Sequence, residues 1–387
     1  MSRGAESHYI GLQFVIIQLR QLALRGTKDP EVDLPFALDQ IAGRQTARRK
    51  LPSWAATEGI VYPPHLSMEQ CSSEPTARYK ARLVGTGDAM VDLTGGFGVD
   101  FSFLAQGFAK AVYVERQERL CEIARENFRL LGLAQAEVVC ADATAYLQQM
   151  PPTDLIYIDP ARRDDHGGRT YGISDCTPDV LALRDLLTAK ARRVLVKLSP
   201  MLDWRKAVAD VGTAHVREVH IVSVGNECKE LLLLLAEGEG LRLVCVNDDD
   251  VFETTAQTAQ TPPIAQPFNY LYEPNASIMK AGCFDEVACR HGVAPIAPNS
   301  HLFVSGELVA GFPGRSFHID AVTTLNKRDL KEALHGTTQA NITVRNFPLT
   351  VAELRRRLKM GEGGGTYIFA TTLASGDRRL FVCHKID

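Results

Sequence analysis

Val91-Asp92-Leu93-Thr94-Gly95-Gly96-Phe97-Gly98-Val99-Asp100 is the stretch whose reading decides the fold. It follows an apolar run, Ala89–Leu93, and leads into a helix-like segment. Glycines let a chain turn tightly and bring its backbone close to a ligand. The start of the following helix offers unpaired N–H donors to a polar ligand end. A dinucleotide fingerprint needs a third glycine three positions after the second. Counted from Gly96 and Gly98 that place is Phe101, so the fingerprint fails.

An acid just before the glycines suits S-adenosylmethionine instead, with Asp92 holding the methionine moiety and Thr94, Gly95, Gly96 and Gly98 forming the turn. Two more acids follow at the ends of successive apolar runs. Glu115 closes Val112-Tyr113-Val114-Glu115, and Asp142 comes after Val138-Val139-Cys140-Ala141. Glu115 is placed to accept both ribose hydroxyls, and Asp142 with Ala143 to meet the adenine. Carboxyl ends of successive parallel strands are where open α/β sheets bind ligands. A fourth run, Ile156-Tyr157-Ile158, ends in Asp159-Pro160-Ala161-Arg162-Arg163. There Asp159 and the Pro160 carbonyl can accept hydrogen bonds from an amine and aim its lone pair, catalysis by alignment. Amino-group methyltransferases carry Asp or Asn, Pro, Pro and an aromatic at this place. Here Arg162 takes the aromatic's position, and its guanidinium can stack on a base or bind phosphate. Tyr171 is an alternative aromatic. Lys197, in Val196-Lys197-Leu198-Ser199-Pro200-Met201, either meets a substrate phosphate or pairs with Asp159.

Outward from these motifs, short apolar runs alternate with amphipathic segments. The strands expected are Ala89–Leu93, Ala111–Glu115, Ala136–Cys140, Leu155–Asp159, Arg193–Leu198, Glu218–Val224 and Leu231–Ala236, with helices over Glu118–Leu131 and Val180–Ala191. This alternation predicts a doubly wound, mostly parallel α/β sheet, Rossmann-like. The last two runs follow each other closely and predict an antiparallel edge hairpin, with Asn226–Glu230 as its turn. Residues 9–50 read as helix, on Ile10, Phe14, Ile17 and Leu24, then Phe36, Leu38 and Ile41. The expected organisation is an N-terminal helical segment (1–60), the sheet domain (61–245), a connector rich in Asp, Thr, Gln and Pro (246–268), and a smaller α+β unit (269–387). That unit is expected to end in a helix over Val351–Met360, a glycine turn, and a strand pair, Thr366–Thr372 with Leu380–Lys385.

The chain has 387 residues, 45% hydrophobic and 23% charged, which excludes global disorder and a coiled-coil rod. Its length corresponds to roughly two to three domains. A net charge of −3 is far from that of a chain that grips nucleic acid by charge alone, so any nucleic-acid contact must rest on a local patch. No apolar run reaches the length of a membrane span, and Tyr9–Leu24 is interrupted by Gln13, Gln18 and Arg20 and lacks a signal-peptide cleavage pattern. The nine cysteines form no CxxC pair, so packed, reduced thiols, no metal site and a cytoplasmic location are expected.

Residues 61–245 resemble a class I S-adenosylmethionine-dependent methyltransferase. Glu69-Gln70-Cys71-Ser72-Ser73-Glu74, Thr76-Ala77 and Tyr79-Lys80-Ala81 resemble the segment before the glycine motif in several RNA methyltransferases. That resemblance assigns Gln70 and Ser73 to the cofactor. With the glycine stretch, Asp159–Arg163 and Val196–Met201, the chain resembles bacterial methyltransferases that carry a THUMP-like C-terminal domain. The amino-group relatives it suggests are guanine-amino RNA methyltransferases of the trimethylguanosine-synthase type. The resemblance implies S-adenosylmethionine as cofactor and RNA, tRNA or rRNA, as substrate. Residues 301–387 hold twelve Lys plus Arg and eight Asp plus Glu, with Arg355-Arg356-Arg357-Leu358-Lys359 the densest run. That run reads either as an RNA-tracking helix or as a solvated face over buried Leu354 and Leu358. Pro274–Lys280 and Phe312–Arg315 resemble family signatures, with Arg315 an anion contact. The expected function is methylation of an RNA base at an amino group. The alternatives are a protein or small-molecule methyltransferase, and a non-catalytic RNA-binding module.

Overall fold

The computed structural model describes residues 33–162, 172–255 and 268–386. They fall into two compact units, divided between Asp248 and Asp249. The expected helix over residues 9–24 lies outside the described residues, as do Arg163, Tyr171 and most of the expected connector.

The described residues of the first unit open with four helices: α1 (Leu34–Lys50), α2 (Pro52–Ala56), α3 (His65–Gln70) and α4 (Glu74–Val84). In α1 the apolar spacing misleads. Phe36 and Ile41 are 42% and 40% exposed, and the buried face is made by Gly43 and Ala47. The reason is close approach: a Cβ on Gly43 would stand 2.3 Å from that of Tyr62. Lys50 closes the end of α3 by donating to the Met68 and Glu69 carbonyls at 2.9 and 2.7 Å. Ala47, Leu51 and Trp54 pack with Phe97, Val99 and Phe103, so these helices share the core that holds the glycine turn.

From there strand and helix alternate as the sequence pattern predicts: β1 (Gly87–Asp92), α5 (Val99–Leu104), β2 (Phe108–Glu115), α6 (Glu118–Leu130), β3 (Ala136–Cys140), α7 (Ala143–Gln149) and β4 (Thr153–Ile158). A short ribbon, β5 (Ala161–Arg162) with β6 (Cys176–Thr177), follows. Then come α8 (Val180–Lys190), β7 (Ala191–Leu198), α9 (Trp204–Val211), β8 (Val216–Val224), β9 (Glu227–Ala236) and β10 (Arg242–Asn247). The strand order is β10-β8-β9-β7-β4-β1-β2-β3. All neighbours run parallel except β9, which lies antiparallel between β7 and β8. The late hairpin is therefore inside the sheet and not at its edge. Its turn is only Gly225–Asn226, both at positive φ (59° and 61°), while Glu227–Glu230 are strand. The chain leaves β1 toward β2 on one side and returns to β4 on the other. That reversal opens a crevice at the strands' carboxyl ends.

A buried ammonium ties the helices to this crevice. Lys80 of α4 is fully buried. Its Nζ lies 2.5 Å from Glu230 Oε2 on β9, 3.0 Å from Asp100 Oδ1 on α5 and 3.1 Å from Ser72 Oγ. Ser72 Oγ is 2.7 Å from Asp100 Oδ2, which also accepts from the Tyr157 hydroxyl at 2.6 Å. Burial alone would raise the Asp100 carboxyl. Lys80 and Lys197, with the Tyr157 and Ser72 hydrogen bonds, bring it below its ordinary value.

The second unit holds β11 (Asp250–Thr254), β12 (Tyr270–Pro274), α10 (Ala276–Ala281), α11 (Phe284–His291), β13 (Ala294–Pro295), β14 (Phe303–Ser305), β15 (Gly314–Thr323), α12 (Lys327–Ala333), β16 (Asn341–Arg345), α13 (Val351–Leu358), β17 (Thr366–Thr372) and β18 (Arg378–Ile386). Asp248, at φ 55°, turns the chain between β10 and β11, so strand structure reaches into the stretch expected as connector. The sheet of this unit is ordered β13-β14-β12-β15-β18-β17-β16 and is antiparallel except for β16 with β17. Leu271, Phe317, Phe369 and Phe381 fill one side. Leu354 of α13 packs with Ile342 and Ile368.

Replacing Lys80 by Met should leave Asp100 and Glu230 as buried carboxylates without their cation. Breaking a buried pair from one side costs about 3–5 kcal/mol, and urea unfolding should show a loss of that order. The loss should shrink at acidic pH, where Asp100, no longer held low by Lys80, takes up a proton instead.

Candidate active site

The crevice is a cavity of about 1230 Å³ in the first unit. Ligand pockets ordinarily measure about 300–1,000 Å³, so it has room for a nucleoside cofactor and part of a second molecule. Of the residues expected from sequence, Gln70, Asp92, Thr94, Gly95, Gly96, Gly98, Glu115, Asp142, Ala143, Asp159 and Pro160 line it.

The glycine turn is held from beneath. Gly95 N donates to the Val114 carbonyl at 2.9 Å, and the Tyr113 hydroxyl donates to the Gly96 carbonyl. A Cβ on Gly95 would fall 2.1 Å from the Tyr113 ring, so no larger residue fits. Gly96, at φ 54°, has nothing within 3.4 Å of where its Cβ would be, its nearest neighbour being the Thr94 carbonyl at 3.8 Å. That backbone is bare toward the cavity.

Each acid is anchored by backbone N–H groups. Asp92 Oδ1 accepts from Thr94 N at 2.9 Å. Glu115 receives Gly96 N at 3.0 Å on one oxygen and Gln117 N at 2.9 Å on the other. Asp142 caps α7, its Oδ1 accepting from Thr144 N and Ala145 N at 2.9 and 3.0 Å. The cap uses Oδ1, so Oδ2 can accept from a ligand. Thr94 Oγ1 accepts from Asp159 N at 2.7 Å, which joins the glycine turn to the end of β4. Asp159 Oδ2 lies 2.5 Å from Lys197 Nζ. Of the two readings of Lys197, the structure selects the pair with Asp159.

Five carboxylates line the cavity (Asp92, Asp100, Glu115, Asp142 and Asp159) against Arg116, Lys197 and Lys229, so a cationic ligand is favoured. Asp92 shows the strain of this crowding. Burial pushes its carboxyl well above the ordinary range, and Asp100, Asp159 and Glu115 push it further. Burial also raises Asp159, with Lys197 opposing. Leu66 and Met201, 66% and 81% exposed, give the cavity an apolar rim.

Some expectations need correction. Ser73 does not line the cavity; it stands at the start of α4, its hydroxyl 3.3 Å from Thr76 Oγ1, and the neighbouring Ser72 faces the cavity instead. Arg162 is placed only as backbone in β5, and its side chain lies outside what is described. Arg315 does meet an anion, but one of the chain's own: its guanidinium pairs with buried Glu273, which also binds Arg345 at 3.1 Å. On α13 the structure describes the solvated face. Leu354 is buried, Arg355 donates to the Ala340 and Gly361 carbonyls, and Arg356 and Arg357 are exposed. Cys140 and Cys289 are exposed, unlike the packed thiols expected. Sequence reasoning gives no role to Lys80, Asp100 or Tyr157 and takes Glu230 for turn. The legible signal is a lysine and a glutamate on apolar faces, Lys80 beside Ala77 and Val84, and Glu230 opening a leucine run.

A THUMP domain-like family model matches residues 314–385, and a ferredoxin-like domain model matches residues 270–313. No curated protein matches. Among solved structures, a protein of Porphyromonas gingivalis W83 assigned as a methyltransferase is 34% identical, with 94% of this chain and 93% of that chain covered and a TM-score of 0.85. An rRNA methylase from Streptococcus thermophilus is 15% identical over 43% of this chain and 95% of that chain, with a TM-score of 0.32. A Streptococcus mutans protein assigned as a methyltransferase and solved with S-adenosylhomocysteine is 13% identical over 42% of this chain and 97% of that chain, with a TM-score of 0.30. Among the described residues no helix is long and apolar enough to cross a membrane. Near-complete mutual coverage at 34% identity, the strand order with one antiparallel insertion, and the THUMP-like match agree: the chain belongs to the class I methyltransferases that carry a THUMP-like C-terminal domain.

Proposed function

We propose that the chain is an S-adenosylmethionine-dependent methyltransferase that acts on an RNA base, at an amino group. One observation carries the reading. The acids ending β1 and β2, with Asp142 and Asp159 just past β3 and β4, converge on one cavity, in chain order, beside a bare glycine backbone. The donor set fits the cofactor, whose sulfonium and ammonium groups meet the excess of carboxylates and whose ribose and adenine bring donors for Glu115 and Asp142. When bound, S-adenosylmethionine supplies an electrophilic methyl group; the chain's residues bind and orient. Asp92 faces the methionine end, Glu115 the ribose hydroxyls, Asp142 and the Ala143 backbone the adenine. Gln70 lines the same cavity on the helical side.

Asp159 and the Pro160 carbonyl accept hydrogen bonds from the acceptor amine and turn its lone pair toward the methyl group. Lys197 opposes the rise that burial gives the Asp159 carboxyl, and its bond to Oδ2 leaves the other oxygen for the amine. Leu66 and Met201 offer an apolar surface to an unstacked base. RNA is favoured by the THUMP-like unit and by exposed Arg356 and Arg357 on α13. Arg162 follows the Asp-Pro pair at the acceptor end and is the residue assigned to touch substrate.

Transfer of label from S-adenosylmethionine to total RNA, with ribonuclease and protease treatments, tests the reading. Label that survives ribonuclease and is lost with protease moves the substrate to protein. Asp92→Ala should abolish cofactor binding in calorimetry; unchanged affinity would remove Asp92 from the site. Asp159→Ala should bind the cofactor normally and lose at least a hundredfold in turnover, within the roughly 10²–10³ typical of removing one such stabilising group. Asp159 must be ionised to accept from the amine, and its carboxyl is raised, so turnover should fall on the acid side above ordinary carboxylate pH. Lys197 lowers the Asp159 carboxyl, so Lys197→Met should shift that acid limb of the kcat profile to higher pH. A limb that stays put would show the pair to be catalytically silent.

A further inference from the structure

We propose that His318, Asp320 and His384 form a surface site for a zinc-class divalent ion in the second unit. No cysteine spacing points to it, and the two histidines are 66 residues apart (384 − 318), so sequence reasoning passes over them. Strand pairing brings them together: His318 of β15 stands directly opposite His384 of β18. The register shifts between Ile319 and Ala321, so Asp320 is left without a cross-strand partner. A bulge of this kind re-aims a side chain. Asp320 Oδ1 consequently lies 3.1 Å from His318 Nδ1 and 2.8 Å from His384 Nδ1.

The three ligand atoms lie within 4.8 Å of one another. Around a tetrahedral zinc ion with ligands at about 2.0–2.1 Å, neighbouring ligand atoms stand about 3.3 Å apart, so the carboxylate oxygen is already within about half an ångström of that spacing from each nitrogen, and rotation of the two exposed imidazoles has to bring the nitrogens to it as well. The imidazole rings are already side by side, centroids 4.9 Å apart and planes 30° apart, and the edge of Tyr270 against His318 holds that ring at 5.6 Å. Two imidazoles and a carboxylate are a borderline donor set, suited to zinc, cobalt or nickel before calcium or magnesium. The side chains are 40%, 44% and 55% exposed for His318, Asp320 and His384, so an ion has access from solvent. Three protein ligands leave a fourth position open to water or to an oxygen of an outside molecule. The ion would staple β15 to β18, the two longest strands of this unit's sheet.

The test uses the full chain stripped with a chelator and titrated with zinc, then cobalt, without reference to methyl transfer. One ion per chain should bind, the cobalt form should show visible absorption without a thiolate charge-transfer band, and zinc should raise the melting temperature. His318→Gln, Asp320→Asn and His384→Gln should each weaken zinc binding at least tenfold and abolish the melting shift. All three positions are on the surface, and circular dichroism checks that each variant keeps its fold. Zinc affinity unchanged in the triple variant, or a thiolate band pointing to Cys140 or Cys289, would overturn the site. So would absence of binding by the unaltered chain, which leaves the triad a hydrogen-bonded cluster only.

Discussion

The interaction on which the first unit depends is the contact of the Lys80 ammonium with Asp100 and Glu230 in a place water does not reach. An ion in the protein interior carries a large desolvation cost and is tolerated only with partners in good geometry. The partners here come from three places in the chain. Lys80 rides on α4, Asp100 lies just past the glycine turn, and Glu230 begins the buried length of β9. Each is positioned by a different element, so the network fixes the helices, the turn and the inserted strand against one another. Ser72 and Tyr157 complete the hydrogen bonds, and with Asp100 they also face the cavity. The floor of the site and the core of the fold are made by the same side chains.

Above this floor the electrostatics run the other way. The carboxylates outnumber the cations, and Asp92 is pushed well above its ordinary range by burial and by its acidic neighbours. Such crowding of buried acids carries an electrostatic cost. Perturbed groups gathered in a cleft are what a functional site requires. Asp159 is treated differently from the others. Lys197 pairs with it, so a cation offsets the acid at that end of the cavity.

The second unit reaches its stability by a related device. Glu273 is buried and bound by Arg315 and Arg345, which come from β15 and β16 and are not neighbours in the sheet. The signature-like turns around residues 274–280 and 312–315 serve this contact. A Cβ on Gly314 would meet the Glu273 carbonyl at 2.2 Å, so the close approach of β12 and β15 requires glycine there. On α13 Leu354 packs into the core while Arg356 and Arg357 are exposed, which is how one short helix both covers the core and presents a basic surface.

The order of elements is legible in the chain, because periodicity and glycine placement are local. The runs ending at Asp92, Glu115, Cys140 and Asp159 are strands or strand ends within a residue or two of where the pattern puts them. Three site acids and the Asp-Pro pair can be read for the same reason, since the glycine, proline or capping residue next in the chain marks each strand's carboxyl end. Legibility ends where an outcome depends on contacts distant in sequence. Phe36 and Ile41 keep a helical spacing yet face outward, because Gly43 lets Tyr62 approach the other face. Ser72 and Ser73 are adjacent and chemically alike, and only the direction of α4 decides which one faces the cavity. Lys80 with Glu230, and His318 with His384, are separated by 150 and 66 residues (230 − 80; 384 − 318). Sequence by itself determined the sheet, the turn and the acids at its rim. Tertiary structure alone decided which charges meet, because an ion pair is defined by a few ångströms of space and no local pattern encodes that distance.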